Sequence, residues 1–242
     1  MNTFLGKLLA VVLCGGMIYR ESHRGYFAQL ARYVRQDDKR RTMAMLGAAA
    51  VLASLVFLMD LRLQAAVQGI QASLVVALIH VGGWLGQGTA LWLILVAIYA
   101  LARLLRHPAV QAAAFGCAVS AALAAVLSSI LKWSVARARP NAQLGPLAFF
   151  QWSQVGRSRF QSFPSGDTVI VAAAAWYLWC RYPKVPLGAR LLLLVLPLAT
   201  ACSRVLLNKH WPSDTVFAIG LGFVSAQWVA RYEAFGVRQP QA

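Results

Sequence analysis

The stretch Leu63–Ala102, LQAAVQGIQASLVVALIHVGGWLGQGTALWLILVAIYALA, contains no Lys, Arg, Asp or Glu. Roughly 20 apolar residues in a helix cross the hydrocarbon of a bilayer, and an isolated charge inside it is costly. The run is too long for one crossing. The pair Gly82-Gly83 predicts a break, leaving Leu63–Val81 as a loop or interfacial helix and Trp84–Leu105 as a span.

Reading outward by the same rule, Met43–Met59, Pro108–Leu131, Ser165–Arg181, Leu187–Arg204 and Asp214–Ala230 are further spans. Composition agrees, with 60% hydrophobic and only 12% charged residues against roughly 25% charged in soluble domains. The expected fold is all-α: a six-transmembrane-helix bundle over residues 43–242 behind an N-terminal interfacial segment, residues 1–42. In that segment Phe27, Leu30, Ala31 and Val34 follow helical spacing, with Arg24, Arg32 and Arg35 on other faces. Phe4–Tyr19 is short for a span. A single Lys7 and the lack of an A-x-A site speak against a signal peptide, and Leu13 before Cys14 against a lipoprotein signal. No linker, low-complexity tract or repeat divides the chain.

Six spans put both termini on one side. That side carries Lys7, Arg20, Arg24, Arg32, Arg35, Lys39, Arg40, Arg41, Arg103, Arg106, Arg181, Lys184, Arg190, Arg231 and Arg238, which are 15 of the 23 basic residues. The positive-inside rule makes it cytoplasmic, so the other helix ends face outward, toward the periplasm of a bacterial inner membrane. The net charge of +16 follows from this topology and from anionic lipid; no aromatic-basic or DNA-binding motif points to nucleic acid. Cys14, Cys117, Cys180 and Cys202 lie in apolar segments without C-x-x-C spacing and read as packing residues. No motif suggests a metal, and no cofactor is expected. Trp84, Trp133, Trp152 and Trp211 read as an outer interfacial belt and packing.

Polar groups gather at the outer helix ends. Lys132 closes the third span, and Arg139-Pro140 follows two turns later on the same face if the helix runs on to Pro140. Pro164-Ser165-Gly166 opens the fourth span, where free backbone N–H groups favour an anion. Arg204 ends the fifth. His210 and Asp214 stand four residues apart at the start of the sixth, so the carboxylate can accept the imidazole N–H and orient it. Three cations, a helix N-terminus and an oriented histidine make a phosphate site with a nucleophile.

KWSVARARP, FPSGD and SRVLLNKHWPSD resemble, in order and spacing, the three signatures of the type 2 phosphatidic acid phosphatase (PAP2) superfamily: K-x6-R-P, P-S-G-H and S-R-x5-H-x3-D. The resemblance covers residues from about 43 to 231, and its first and third motifs match at every fixed position. It implies that His210 attacks phosphorus to form a phosphohistidine and that Asp214 orients it. Lys132, Arg139, Arg204, Ser165 and the Gly166 N–H would hold the phosphoryl oxygens, without a metal. Spread phosphoryl charge is what such preorganised groups stabilise best.

The second motif departs from the family. Its histidine, thought to protonate the leaving oxygen, is replaced by Asp167. Neighbouring cations favour an ionised carboxylate, so Asp167 is expected to cap its helix or pair with an arginine rather than act as the acid. His80, the other outer histidine, is expected to be structural.

Three functions remain open at this point. The chain is a phosphatase acting on a membrane lipid phosphate or diphosphate such as undecaprenyl diphosphate, a phosphotransferase passing the group to lipid A or another envelope acceptor, or a non-catalytic lipid-phosphate binding protein.

Overall fold

The computed structural model describes residues 3–21, 25–36, 39–70, 73–85 and 87–236. Among them are ten α-helices and no strand: α1 (Thr3–Glu21), α2 (Tyr26–Gln36), α3 (Lys39–Phe57), α4 (Asp60–Gln68), α5 (Ser73–Leu85), α6 (Gly88–Leu104), α7 (Pro108–Val135), α8 (Gly166–Arg181), α9 (Leu187–Leu206) and α10 (Pro212–Gly236). Three short 3-10 turns, Pro140–Ala142, Trp152–Gln154 and Ser158–Phe160, punctuate the loop between α7 and α8. The all-α expectation holds.

Three helices among the described residues, α3, α7 and α9, are long and apolar enough to cross a membrane, where three of the six spans were expected. α6 is a shorter apolar helix. α8 has 16 residues, short of the roughly 30 Å of a bilayer core at about 1.5 Å per residue. It is the central element, packed by α7, α9 and α10 and buried from Thr168 to Ala175. Small residues let its neighbours approach: a Cβ on Gly222 of α10 would lie 2.7 Å from the Val169 carbonyl, and one on Gly116 of α7 would overlap the Tyr177 ring. The outer faces are apolar instead, with Leu52 and Leu55 of α3, Leu101 and Leu104 of α6, and Leu192, Val195 and Leu198 of α9 exposed. That is the pattern of a chain whose solvent is lipid.

The long charge-free run breaks elsewhere than expected. It makes α5 and α6 with a short α4 before them, and α5 continues through Gly82-Gly83. The reason is packing, since a Cβ on Gly83 would lie 1.8 Å from Ser203 Oγ on α9. The glycine is a contact surface, not a hinge.

At the N-terminus α1 lies against α6 and α7, and α2 against α10. The buried face of α2 is Tyr26 and Leu30, with Tyr33 and Val34 partly buried beside them, whereas Phe27 is exposed. The face is turned from the expected stripe because tyrosine rings prefer a site where ring and hydroxyl are both satisfied. Tyr26 donates to Glu233 Oε1 at 3.1 Å and packs edge-on to Tyr232.

Candidate active site

α7 ends early. Ala136 takes a left-handed conformation, φ 42°, and its N–H caps the Lys132 carbonyl at 2.9 Å. The chain therefore turns inward at Arg137, and Arg139 reaches its position from a loop rather than from the helical face shared with Lys132. The Ser162 N–H bonds to the Arg137 carbonyl at 3.0 Å, bringing the FPSGD segment alongside. The Ser165 N–H bonds to the Asp214 carbonyl at 3.2 Å, tying the start of α8 to the start of α10.

His210 stands just before α10 and is 3% exposed. Its Nδ1 lies 2.7 Å from the Ser162 carbonyl. A carbonyl only accepts, so Nδ1 carries the proton and Nε2 keeps a free lone pair. The expected direct bond to Asp214 is replaced by this one, and Asp214 Oδ2 sits 3.8 Å from Nδ1. Asp214 instead receives the Trp211 N–H at 2.9 Å and the Ser162 hydroxyl. The first bond is half of a capping box at the α10 N-terminus. The second fixes the residue whose carbonyl orients the imidazole. Burial pushes the His210 imidazole below its ordinary value; Asp214 pulls the other way, and Lys132 and Arg139 add to the lowering. The ring is therefore neutral at neutral pH.

The cations surround it. Lys132 donates to the Gln161 carbonyl at 3.0 Å and to the Pro164 carbonyl, leaving one of its three N–H donors for another acceptor. Arg139 is within electrostatic reach of Arg204, Asp167 and Asp214. The Nε atoms of Arg139 and Arg204 are buried without a partner, which is costly unless an anion supplies the acceptor. Ser165 is fully buried at the N-cap of α8 and shares a hydrogen bond with Thr168 Oγ1 at 2.9 Å. Gly166 follows it, and a Cβ there would lie 3.6 Å from Lys132 Cε.

Asp167 is an acceptor twice over. Its Oδ2 pairs with Arg204 Nη1 at 3.0 Å and its Oδ1 receives the Gly88 N–H, at the start of α6, at 2.9 Å. Arg204 is held on its other side by the Gly83 carbonyl, 2.6 Å from Nη2. His80 is exposed on α5.

Two residues were missed in the sequence. Arg137, 1% exposed, donates to Asp214 Oδ1 at 2.6 Å, to Asp60 Oδ2 at 2.7 Å and to the Pro146 carbonyl at 3.0 and 3.1 Å. Its guanidinium carbon lies 4.8 Å from the Phe149 ring centre and 5.5 Å from that of Trp211. Trp211 is thus buried core rather than interfacial belt. Asp60 also caps α10, receiving the Ser213 N–H at 2.9 Å and its hydroxyl at 2.7 Å. A carboxylate at the end of an apolar span was the available signal for Asp60.

Residues 113–237, just over half of the chain, match the PAP2 superfamily. The chain belongs to that superfamily. Two lipid A 1-phosphatases resemble this PAP2 protein over 99 residues, 40% of its length: one of Rhizobium johnstonii at 29% identity and one of Rhizobium etli at 28%. The stretch is 38% and 40% of those proteins, so the PAP2 chain spans about two-fifths of the curated relatives it matches. Among solved structures, LpxE of Aquifex aeolicus superposes with a TM-score of 0.55 at 18% identity, covering 72% of this chain and 95% of that one. At that identity the likeness is one of fold. Among the described residues of this PAP2 protein, no three His, Cys, Asp or Glu side chains gather into a metal site.

Proposed function

We propose that this chain is a metal-independent lipid phosphatase of a bacterial inner membrane, with six spans, both termini cytoplasmic and the site at the periplasmic face. The observation that carries the chemistry is the His210 tautomer: Nδ1 bound to the Ser162 carbonyl leaves Nε2 as the nucleophile. Nε2 attacks phosphorus, the bond to the leaving oxygen breaks, and that oxygen keeps the electron pair. Water then attacks the phosphohistidine, the N–P bond breaks, and phosphate and a proton leave. Lys132, Arg139, Arg204, Ser165 and the Gly166 N–H hold the phosphoryl oxygens, with Asp214 balancing the imidazolium.

The substrate class follows from Asp167. A carboxylate spent on Arg204 and the Gly88 N–H is no proton donor, so the leaving group must depart as an anion. A lipid diphosphate such as an isoprenoid diphosphate expels a phosphate monoester, whose last pKa is about 6. A sugar-linked lipid phosphate expels an anomeric oxygen, more acidic than an ordinary alcohol. The likeness to lipid A 1-phosphatases favours the second, and transfer of the phosphoryl group to a lipid A acceptor is the alternative reading.

The test is phosphate release by purified protein in detergent from isoprenoid diphosphates, glycolipid anomeric phosphates and simple alkyl lipid monophosphates. Release from either of the first two without an added acceptor supports hydrolysis; release only when an acceptor lipid is present supports transfer. No turnover of any of them, with or without acceptor, ends the proposal.

A further inference from the structure

The short helix α4 carries three amide or carboxylate side chains about one turn apart: Asp60, Gln64 and Gln68. Steps of four put them on one face, and they meet the connection from α9 to α10 that carries His210. Asp60 holds the α10 end of that connection, through the Ser213 N–H at 2.9 Å and its hydroxyl at 2.7 Å. Gln64, 6% exposed, holds the α9 end. Its Nε2 donates to the Val205 carbonyl at 3.0 Å and to Asn208 Oδ1 at 2.7 Å, and Gln68 donates to the same Asn208 oxygen.

What Gln64 grips is a helix cap. Asn208 is left-handed, φ 54°, a conformation asparagine tolerates better than most residues. Its N–H bonds to the Val205 carbonyl at 3.0 Å and the Lys209 N–H to the Arg204 carbonyl at 3.0 Å, the two bonds that close a Schellman motif. The His210 N–H reaches the same Arg204 carbonyl at 3.3 Å. The backbone of the histidine is therefore set relative to that of Arg204 by this turn, and one buried amide bonds the turn at both a carbonyl and the left-handed residue. The Val205 carbonyl only accepts, so Nε2 faces it and Gln64 Oε1 is left buried without a partner. An orphaned acceptor is costly. An apolar side chain of similar length would avoid that cost and leave the cap unheld, so stability alone does not account for an amide here.

We infer that Gln64 is a positioning residue for the proposed phosphoryl transfer: by holding the turn between Arg204 and His210 it keeps Nε2 aligned with a phosphoryl group bound by the cations. This deepens, and rests on, the phosphatase reading. Lys132 and Arg139 come from other elements, and the Arg204 guanidinium is pinned separately by the Gly83 carbonyl and Asp167. Loss of the Gln64 bonds therefore acts on the reach of the nucleophile rather than on the hold on phosphate. A misplacement of about 1 Å can cost about 10²-fold in rate.

The experiment uses the full chain in neutral detergent and follows phosphate release from whichever lipid phosphate wild type turns over fastest. Gln64→Met keeps the length of the side chain and loses both donors; kcat should fall at least about tenfold with KM within about twofold. Asn208→Gly keeps the left-handed turn and loses the acceptor. Combined with Gln64→Met it should slow the enzyme less than about twofold further, because the two changes break one coupling. Tyr177→Phe, which loses the hydroxyl bond to Glu233 at the other end of α8, controls for lost stability, and its kcat should stay within about twofold of wild type. Unchanged kcat in Gln64→Met, a loss confined to KM, independent multiplication of the two losses, or an equal fall in kcat in Tyr177→Phe overturns the inference. Amide hydrogen exchange reads the turn without substrate: residues 205–210 should exchange at least about tenfold faster in Gln64→Met, with α8 unchanged. Should wild type hydrolyse no lipid phosphate, the phosphatase reading falls and the positioning role with it, while exchange still judges the hold on the turn. Unchanged protection of residues 205–210 removes that hold whatever the activity.

Discussion

Arg137 and Asp214 form a buried ion pair, Nη1 to Oδ1 at 2.6 Å, and the second edge of the same guanidinium holds Asp60 at 2.7 Å. One cation thus spans two carboxylates, from the start of α4 to the head of α10, behind His210. Aromatic faces on Phe57, Phe149 and Trp211 cover it. Such a pair is a poor source of stability but a strong constraint on geometry, because removing one member strands the other in a dry environment. Arg137→Met is therefore expected to destabilise the protein by about 3–5 kcal/mol, read from melting in detergent. A variant as stable as wild type contradicts the buried brace.

The same substitution has a signature that damage alone does not produce. Asp214 without Arg137 places more uncompensated negative charge beside His210, which favours the imidazolium. The His210 pKa, lowered in the native site, rises, and the acid limb of kcat/KM moves to higher pH. In wild type that limb should lie below the ordinary histidine value of about 6.5. Substrate ionisation is common to both proteins, so the difference between their profiles isolates the enzyme group. Coincident limbs would detach Arg137 from the histidine.

His210→Ala should fold normally and lose at least about 10³-fold in turnover, since a covalent step disappears. Released phosphate from a lipid substrate checks it. Activity within about tenfold of wild type would exclude His210 as the nucleophile.

Most of the candidate site was legible because its members stand in short spaced motifs: Lys132 and Arg139, Ser165 and Gly166, Arg204, His210 and Asp214. Asp60 was not, since it meets Arg137 across 77 residues of sequence and Ser213 across 153. Arg137, two residues from Arg139, looks in sequence like one more outer-face cation. Only the left-handed Ala136 turns it inward. The fold was read from missing charge, which finds helices that face lipid, such as α3 and α9. It reads less well where protein is the solvent: α8 is short and enclosed, and Gly82-Gly83 resembled a break because a glycine at a helix contact and one at a hinge look alike in a single sequence.

Asp167 carries a prediction about substrate. General acid catalysis is typically worth about 10² to 10⁴ in rate, and wild type should disfavour simple alkyl lipid monophosphates on that scale against substrates with stable leaving anions. Asp167→Asn keeps an acceptor for the Gly88 N–H and loses the charge on Arg204, so it should cost less than about tenfold on the preferred substrate. A wild-type preference for alkyl monophosphates, abolished in Asp167→Asn, would make Asp167 a protonated acid.

Orientation is tested by labelling. Gln143→Cys lies in the loop between α7 and α8, and in intact cells it should react with a membrane-impermeant maleimide from the periplasmic side. A cysteine placed between residues 25 and 36 should react only after the membrane is opened. The reverse pattern overturns the topology. In the same preparations chelators should leave phosphate release unchanged, whereas a strict divalent requirement would mean that the cations do not act alone.

The contact between Gly83 and Ser203 makes the last prediction. An added Cβ at position 83 would lie 1.8 Å from Ser203 Oγ and 2.5 Å from its Cβ, so α5 and α9 must separate. Arg204 is the next residue, held by the Gly83 carbonyl at 2.6 Å, so the displacement reaches the proposed phosphate site directly. Overpacking of this kind costs about 1–3 kcal/mol, and Gly83→Ala should lower both the melting temperature and kcat. Ser203→Gly alone costs about 0.5 kcal/mol through helix propensity and leaves space at the contact. The double change Gly83→Ala/Ser203→Gly moves the Cβ from one helix to the other and should recover most of the activity lost by Gly83→Ala. If the double variant is no more active than Gly83→Ala, the interhelical distance at this point does not govern where Arg204 sits.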